Sequence, residues 1–540
     1  MVKEINVTIK AQDEKNDSLI QRLCFDQLFK SGIKAKKDEI KFVFTKKSID
    51  ARHGQLKLNL KFKAYIGEEP EDACQRLPQW KKADGNKNVL IIGSGPAGLF
   101  AALKLLEEGI KPVIIERGEE TQKRRKDIAK ISTQDFVNSD SNYCFGEGGA
   151  GAFSDGKLYT RSNKRGDISK ILSIFANFGA DPKILTDAHP HIGTNKLPSV
   201  INAMKNKIVE LGGEIRFNLR CTDFILENST DDSKRITGVK CNNVFTGEEF
   251  SFYADAVILA TGHSAFDIYE LLGKTSPESL EAKTFAMGVR VEHPRELIDS
   301  IQYRGKTGQE NLGAAEYRLT TQVEDRGVFS FCMCPGGFVV PSASMDDEIV
   351  VNGMSCAERN SRWSNAAIVV QTLPEDIPEE YVQMAKAAGC KELAGLYFRK
   401  SIEKMTKQNG KGQAAPAQRL TDFLAERSSK DFPKTSYTPG IVSSRLDVWL
   451  PKQIASRLSQ AFKNFDRMMH GFITKDAILI ASETRTSTPV RILRDKESFE
   501  CLGIKKLYPC GEGSGYSGGI VSSAMDGENA AAAIIGKFLK

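Results

Sequence analysis

The sequence contains no CxxC pair and no cysteine–histidine spacing of the zinc-holding kind, and its 6 histidines are scattered. A zinc-built fold is therefore not expected. His189 and His191 flank Pro190 with no other ligand type nearby, so a surface loop is the expected reading there and a metal is not. The 11 cysteines are odd in number and dispersed, which fits reduced thiols better than a disulfide framework. A membrane-length apolar run is lacking. The uncharged stretch Val89–Leu103 is interrupted by Gly93, Gly95, Pro96 and Gly98 and ends at Lys104, too short to span a bilayer. The first residues, Met-Val-Lys-Glu-Ile-Asn-Val, have no apolar signal core. A cytoplasmic protein without a membrane span is the expectation. Repeats of 20–50 residues and low-complexity tracts are absent. A strong charge of one sign is absent too: 76 basic residues face 69 acidic ones.

What is present is ordinary for a globular chain of 540 residues: 40% hydrophobic, 27% charged, with 45 Gly and 19 Pro. At about 150 residues per domain this predicts three to four domains, or one large domain with insertions. Residues 1–86 hold 18 Lys and Arg against 13 Asp and Glu, so most of the net +7 sits there. Ile5, Val7 and Ile9 alternate as in a half-buried strand. Ser18–Phe29 has helical spacing, and Glu39–Thr45 and Gln55–Ile66 are strand-like. Residues 1–66 thus predict a small α+β unit of ferredoxin-like character, and 67–86 a linker.

From Lys87 the pattern changes. Asn88–Ile92 is continuously apolar, as a parallel strand buried on both faces should be; Val113–Ile115 and Ala256–Ala260 are similar. After the first comes Gly93-Ser94-Gly95-Pro96-Ala97-Gly98, then a helix to about Glu108, a second strand, and Glu116 at its end. Gly93 permits the tight turn, Gly95 lets backbone approach a pyrophosphate, and Gly98 lets helix and strand pack closely. The helix N-terminus faces the phosphates. A carboxylate at 116 can accept both ribose hydroxyls and disfavours a 2′-phosphate, so the nucleotide is FAD or NAD rather than NADP. Two further matches, Gly146–Gly151 and Gly513–Gly518, lack the strand or the acid. A nicotinamide donor would therefore bind without a Rossmann domain of its own.

Three segments bear on FAD against NAD: Cys144–Thr160, reading CFGEGGAGAFSDGKLYT; Ala256–Gly262, an apolar strand ending Ala-Thr-Gly; and Leu507–Gly513 with Tyr516–Ile520 before a last helix. In these the sequence resembles two-dinucleotide-fold flavoproteins of the glutathione-reductase type, and more closely an uncharacterised bacterial family of FAD-dependent dehydrogenases. That resemblance runs over the whole chain, including Phe331–Gly337 and Ser482–Pro489. It implies a Rossmann-like α/β FAD-binding domain (87–274 and 481–540) and an inserted α+β substrate or cap domain (275–480). It implies FAD, with NADH or NADPH as a transient donor, and an oxidoreductase passing a hydride to or from a small molecule. Gly511 and Glu512 would meet the pyrophosphate and ribityl chain, where the family has Gly-Asp. Gly518, Gly519 and Ile520 would point a helix N-terminus at the flavin N1 edge, and Gly148, Gly149 and Gly151 would wrap the ring. With Gly93, Gly95, Pro96, Ala97, Gly98, Glu116, Arg117, Arg125, Thr261 and Gly262, these are the expected cofactor contacts.

For the chemistry, Cys332-Met333-Cys334 is the most reactive-looking run, although CxC in a strand equally fits core cysteines. His263 follows Ala-Thr-Gly and either approaches the cofactor or hydrogen-bonds backbone in a loop. Arg485 either holds an anionic substrate group or pairs with Glu483. Tyr516 either covers the ring or does not reach it. In Lys123–Lys126 a solvated helix face competes with one member reaching the pyrophosphate. Two other function classes remain: a flavoprotein acting on RNA through the basic N-terminal unit, where Lys41-Phe42-Val43-Phe44 is a fragment of an RNP-like strand, and a non-catalytic flavin-binding protein.

Overall fold

The computed structural model describes residues 1–50, 56–70, 77–160, 164–228, 233–305 and 312–539. Gln55 of the expected third strand, Cys74 and most of the middle of the expected linker lie outside the described residues.

The N-terminal unit is a three-stranded antiparallel sheet crossed by one helix. Val2–Lys10 and Ile40–Asp50 flank Lys57–Ile66. The helix Asp17–Lys30 starts where the Asn16 side chain accepts the Leu19 N–H at 3.1 Å, satisfying a donor the helix cannot. Ile20, Cys24 and Leu28 form its buried stripe, and Ile5, Val7 and Ile9 meet it from the sheet. Of the elements a ferredoxin-like unit would need, three strands and one helix are present; a second helix and a fourth strand are not found in this unit among the described residues. Phe42 packs edge-on against Phe25 of the helix (4.9 Å) and Phe44 against Phe62 (5.3 Å). The aromatics of the RNP-like fragment thus pack within the unit's own fold rather than forming an open stacking platform. The outer strand docks on the rest of the chain: Lys47 N–H donates to Thr186 O and Ala188 N–H to Lys47 O, both at 3.1 Å.

Five parallel strands form the nucleotide-type sheet, in the order 507–509, 256–259, 88–92, 111–115, 214–216. Asn88–Ile92 is buried on both faces from Val89 on, as its unbroken apolar run predicts. The chain moves outward on one side to 111–115 and later returns on the other to 256–259, which makes a topological switch point beside 88–92. Registers place Ile92 beside Leu259 and Ile115, and Leu259 beside Pro509. All four strands end on one row, and their following loops meet there. The helices Pro96–Leu106 and Ile520–Phe538 both begin at this row.

Two features were not foreseen. Leu219–Asn228, Lys234–Asn243 and Glu249–Tyr253 form a further antiparallel sheet, joined by Ile504–Lys505. The central part of the chain builds a seven-stranded sheet around Phe285–Pro294, with Arg326–Cys334 and Trp363–Thr372 to one side and Ile478–Glu483 to the other. The expected domain boundary at 480/481 falls inside that last strand.

Candidate functional site

The loops at the row of strand ends enclose a cavity of about 370 Å³. Its floor is the turn after Asn88–Ile92. Gly93 has φ +106°, and a Cβ there would lie 2.4 Å from Ala260 O; one at Gly98 would lie 2.0 Å from Gly93 O. These two glycines let strand, turn and helix close up. The other glycines act on the cavity itself. A Cβ on Gly95 would have only Gly149 Cα within 4 Å, at 3.8 Å; on Gly262 or Gly518 it would meet nothing, and on Gly519 only Ser522 Oγ at 3.9 Å. All four line the cavity, so main chain is bare to whatever fills it. The N-terminus of Pro96–Leu106, with Pro96 in its first turn, faces the same space, and its free N–H groups favour an anion.

Of the expected contacts, Gly93, Gly95, Pro96, Ala97, Glu116, Arg117, Gly149, Gly151, Thr261, Gly262, Gly511, Glu512, Gly518, Gly519 and Ile520 line this cavity. Gly98 and Gly148 lie behind it: a Cβ on Gly148 would strike Ile201 Cδ1 at 2.4 Å. Glu116 is buried and its oxygens already accept four hydrogen bonds, from Ser94 N–H and Oγ–H and from the N–H groups of Gly118 and Gly146, at 2.8–3.0 Å. It braces three loops, and ribose hydroxyls would have to share those oxygens. Arg117 pairs with Asp140 at 3.0 Å and Asp267 at 3.1 Å and lies over the Phe145 ring.

Four expectations are corrected. Arg125 is exposed and does not line the cavity. Its neighbour Arg124 is the one turned inward, donating to the carbonyls of Asn142, Tyr143 and Glu147 at 2.7–3.0 Å; it holds the glycine-rich loop. Tyr516 does not face the cavity, because Arg491 and Arg494 lie over its ring at 5.3 and 4.2 Å. Arg485 does line the cavity, but its partner is not Glu483. It grips Glu403 with two N–H groups (3.0 and 2.7 Å) and donates to Glu348 at 2.9 Å. Glu483 pairs with Arg290 at 2.7 Å. Cys334 is fully buried behind Cys332, and Cys332 is the one that lines the cavity.

His263 and Glu512 sit across from each other. Burial, with Arg399 and Arg485 nearby, lowers the imidazole to about 3, so it is neutral at physiological pH. Its Nδ1 is 3.0 Å from Ser264 Oγ. Burial raises the Glu512 carboxyl to about 7.

Sequence reasoning missed Lys157, Arg290 and Glu403. Lys157 comes from the glycine-rich segment and lies 3.1 Å from Asp155 Oδ2, 3.7 Å from Cys332 Sγ and 3.5 Å from Cys334 Sγ. Burial works against its charge, but Asp155 and the sulfurs outweigh it and hold the ammonium above its ordinary range. Arg290 interrupts the apolar run Phe285–Val291 of the strand Phe285–Pro294 and is fully buried, donating to Glu483, Asn365 Oδ1 (2.7 Å) and Cys332 O (2.6 Å). A lone arginine in such a strand was the available signal.

Family models match three stretches: a domain of unknown function over residues 1–65, pyridine nucleotide-disulphide oxidoreductase over 87–291, and FAD-dependent protein, C-terminal domain-like, over 284–486. An uncharacterized protein of Clostridium beijerinckii is 41% identical over 454 residues, covering 83% of this chain and 81% of that one. A flavin-containing monooxygenase of Arabidopsis thaliana, FMO GS-OX-like 9, is 27% identical over 178 residues, 33% of this chain and 37% of that one. Among solved structures, CtdE in complex with FAD covers 83% of this chain and 84% of its own at 11% identity and a TM-score of 0.33. The glycerol-3-phosphate dehydrogenase of Bacillus halodurans complexed with FAD covers 54% and 49% at 12% identity and 0.28. On the family models and the Clostridium relative, the chain belongs to an uncharacterised bacterial family of FAD-dependent oxidoreductases, and its cofactor is FAD.

Proposed function

We propose that the protein passes a hydride between a small organic substrate and FAD held in the 370 Å³ cavity, with NADH or NADPH as a transient donor. The observation that carries this is the bare main chain of Gly95, Gly262, Gly518 and Gly519 around a cavity that Glu512, Lys157 and Cys332 also line. The residues fit the cofactor. The turn Gly93–Gly98 and the helix N-terminus at Pro96 suit a pyrophosphate. Glu116 and Arg117 mark the adenosine end, and Gly149, Gly151 and Ile520 the flavin end. When bound, FAD supplies a two-electron centre. The chain's own residues orient the substrate against it and exclude water. In this reading the fold is of the glutathione-reductase type, the central sheet is the substrate or cap unit, and the N-terminal unit is half of a ferredoxin-like fold.

The test is the visible spectrum of the purified protein, then anaerobic NADH or NADPH. Oxidised-flavin bands that bleach on addition are expected. Bands unmoved by either nucleotide but bleached by an organic substrate would remove the nicotinamide half of the proposal. A protein colourless even after reconstitution with FAD would overturn the site.

A further inference from the structure

We propose that Cys332 and Cys334 form a redox-active dithiol, in which Cys332 attacks a small disulfide and Cys334 resolves the adduct. This deepens the flavin reading of the same cavity by naming a substrate class, and it rests on that reading for the physiological return of electrons.

The pair is built unlike ordinary strand cysteines. Arg326–Cys334 pairs with Trp363–Thr372 in steady register until Phe331, opposite Ala367; the next partner pair is Cys334 with Asn365. Two residues on one strand, Cys332 and Met333, thus oppose one on the other, Ala366, a bulge, and bulges re-aim side chains. Cys332 takes up the extra residue with φ +44°, a conformation non-glycine residues hold mainly where the surroundings impose it. The result puts both sulfurs within 3.7 Å of a single ammonium, Lys157 Nζ. Arg290 closes the other side, its Nη2 3.8 Å from Cys334 Sγ while donating to Cys332 O. Of the two, only Cys332 lines the cavity, as Glu512 and Asn352 also do.

Cations on both sides of a sulfur favour its thiolate, the nucleophilic form. Cys334, hydrogen-bonded to Cys332, together with Lys157 and Arg290, holds the Cys332 thiol well below the usual range; the same contact and burial push Cys334 well above it. The exposed member is the ready nucleophile and the buried member keeps its proton. Cys221 and Cys241 supply the contrast. They are direct cross-strand neighbours, yet their partner contact and burial only raise the Cys221 thiol, and the nearby charge is Asp267.

The chemistry balances without a metal. The Cys332 thiolate bonds to one sulfur of the disulfide, the S–S bond breaks, and one thiolate leaves. Cys334 gives its proton to solvent and attacks the Cys332 sulfur, and the second thiolate leaves. Two electrons pass from the protein to the substrate, and a 332–334 disulfide remains. An external dithiol returns both electrons in the test tube.

The probe is 5,5′-dithiobis(2-nitrobenzoate), an aromatic disulfide with two carboxylates, added without oxygen to the full-length FAD-loaded protein after reduction and desalting. A fast phase releasing two nitrothiolates per chain is expected, with 332 and 334 found linked in the peptide masses. Cys334→Ser is expected to release one and keep one adduct on Cys332. Cys332→Ser is expected to lose the fast phase, Lys157→Met to slow it about tenfold, and Cys221→Ser to leave it unchanged. A fast phase surviving Cys332→Ser, or no 332–334 link in the wild-type peptides, overturns the proposal. The peptide measurement needs no variant, so a misfolded mutant does not blunt the test. Failure of the flavin reading shows separately, as an unbleached or absent flavin spectrum with the thiol chemistry intact.

Discussion

His263 Nε2 lies 3.9 Å from Glu512 Oε1, and the two titrate in the reverse of their usual order. The imidazole is lowered to about 3 and the carboxyl raised to about 7, so the pair is no ion pair at neutral pH, and 3.9 Å is too long for a hydrogen bond. The negative charge that appears here as pH rises belongs to Glu512 alone.

FAD carries a pyrophosphate, so a new anion in its cavity opposes it. Affinity for FAD is expected to fall as pH rises through about 7, at most about tenfold per pH unit. Glu512→Gln is expected to flatten the profile and His263→Asn to leave it in place. Fluorescence titration of FAD at pH 6, 7 and 8 reads this directly; a Glu512→Gln profile as steep as wild type refutes it.

Gly95→Ala separates cofactor space from folding. Its Cβ would have only Gly149 Cα within 4 Å, so the flavin-free protein should melt within about 2 °C of wild type while FAD affinity drops at least tenfold, about 1.4 kcal/mol. Gly98→Ala should do the opposite, lowering the melting point of the flavin-free protein itself, because its Cβ would lie 2.0 Å from Gly93 O.

Arg485 is 5% exposed and neutralises Glu403 and Glu348, each 2% exposed. Burial opposes charge on both, yet Arg485 holds Glu403 at about 2, while Glu348 rises to about 7 beside it. Arg485→Met should cost about 3–5 kcal/mol in urea unfolding at pH 7. The loss should be smaller at pH 5, where Glu348 is protonated. An equal loss at both pH values would assign the cost to packing instead.

Acid sensitivity has a separate source in His293. It is fully buried, its Nε2–H donates to Phe472 O at 2.8 Å, and burial lowers it to about 4. The unfolded chain takes up a proton below about 6.5 that the folded one refuses until about 4, so stability falls as pH drops across that window. The full effect is up to about 3 kcal/mol. His293→Gln, which keeps a donor toward Phe472, should flatten the slope of unfolding free energy between pH 6.5 and 4.

The parts of this molecule legible in sequence are those where one residue type has one structural use. An apolar strand ending in Gly-x-Gly before a helix has few other homes, and the three further flavin segments line the same cavity. Helix phase was harder. Thr121–Gln134 carries so little apolar character that composition alone does not mark its inward face, and Arg125, expected at the cofactor, lies on the outer one. Its one fully buried apolar residue, Ile131, places Asp127 and Arg124 on its own face by the i−4 and i−7 spacing, and the structure buries both. Lys157 could not be found that way, since a loop has no period. Nor could the partners of Arg485, which come from residues 137 and 82 positions distant. Tyr516 looked available between two glycines because the cations that hold it lie on another segment.

The docking of the N-terminal unit reaches further than its size suggests. Its outer strand holds the main chain of Thr186 and Ala188, and a few residues on, the same loop fastens Lys157 through its bridge to His191 and the Leu158 N–H to Pro190 O at 2.8 Å. The lysine between the two sulfurs is thus suspended from a strut whose far end is anchored outside the flavoprotein core. Trimming the chain to its recognisable oxidoreductase portion would remove a tether, and substitutions around Lys47 would be felt at a side chain they never touch.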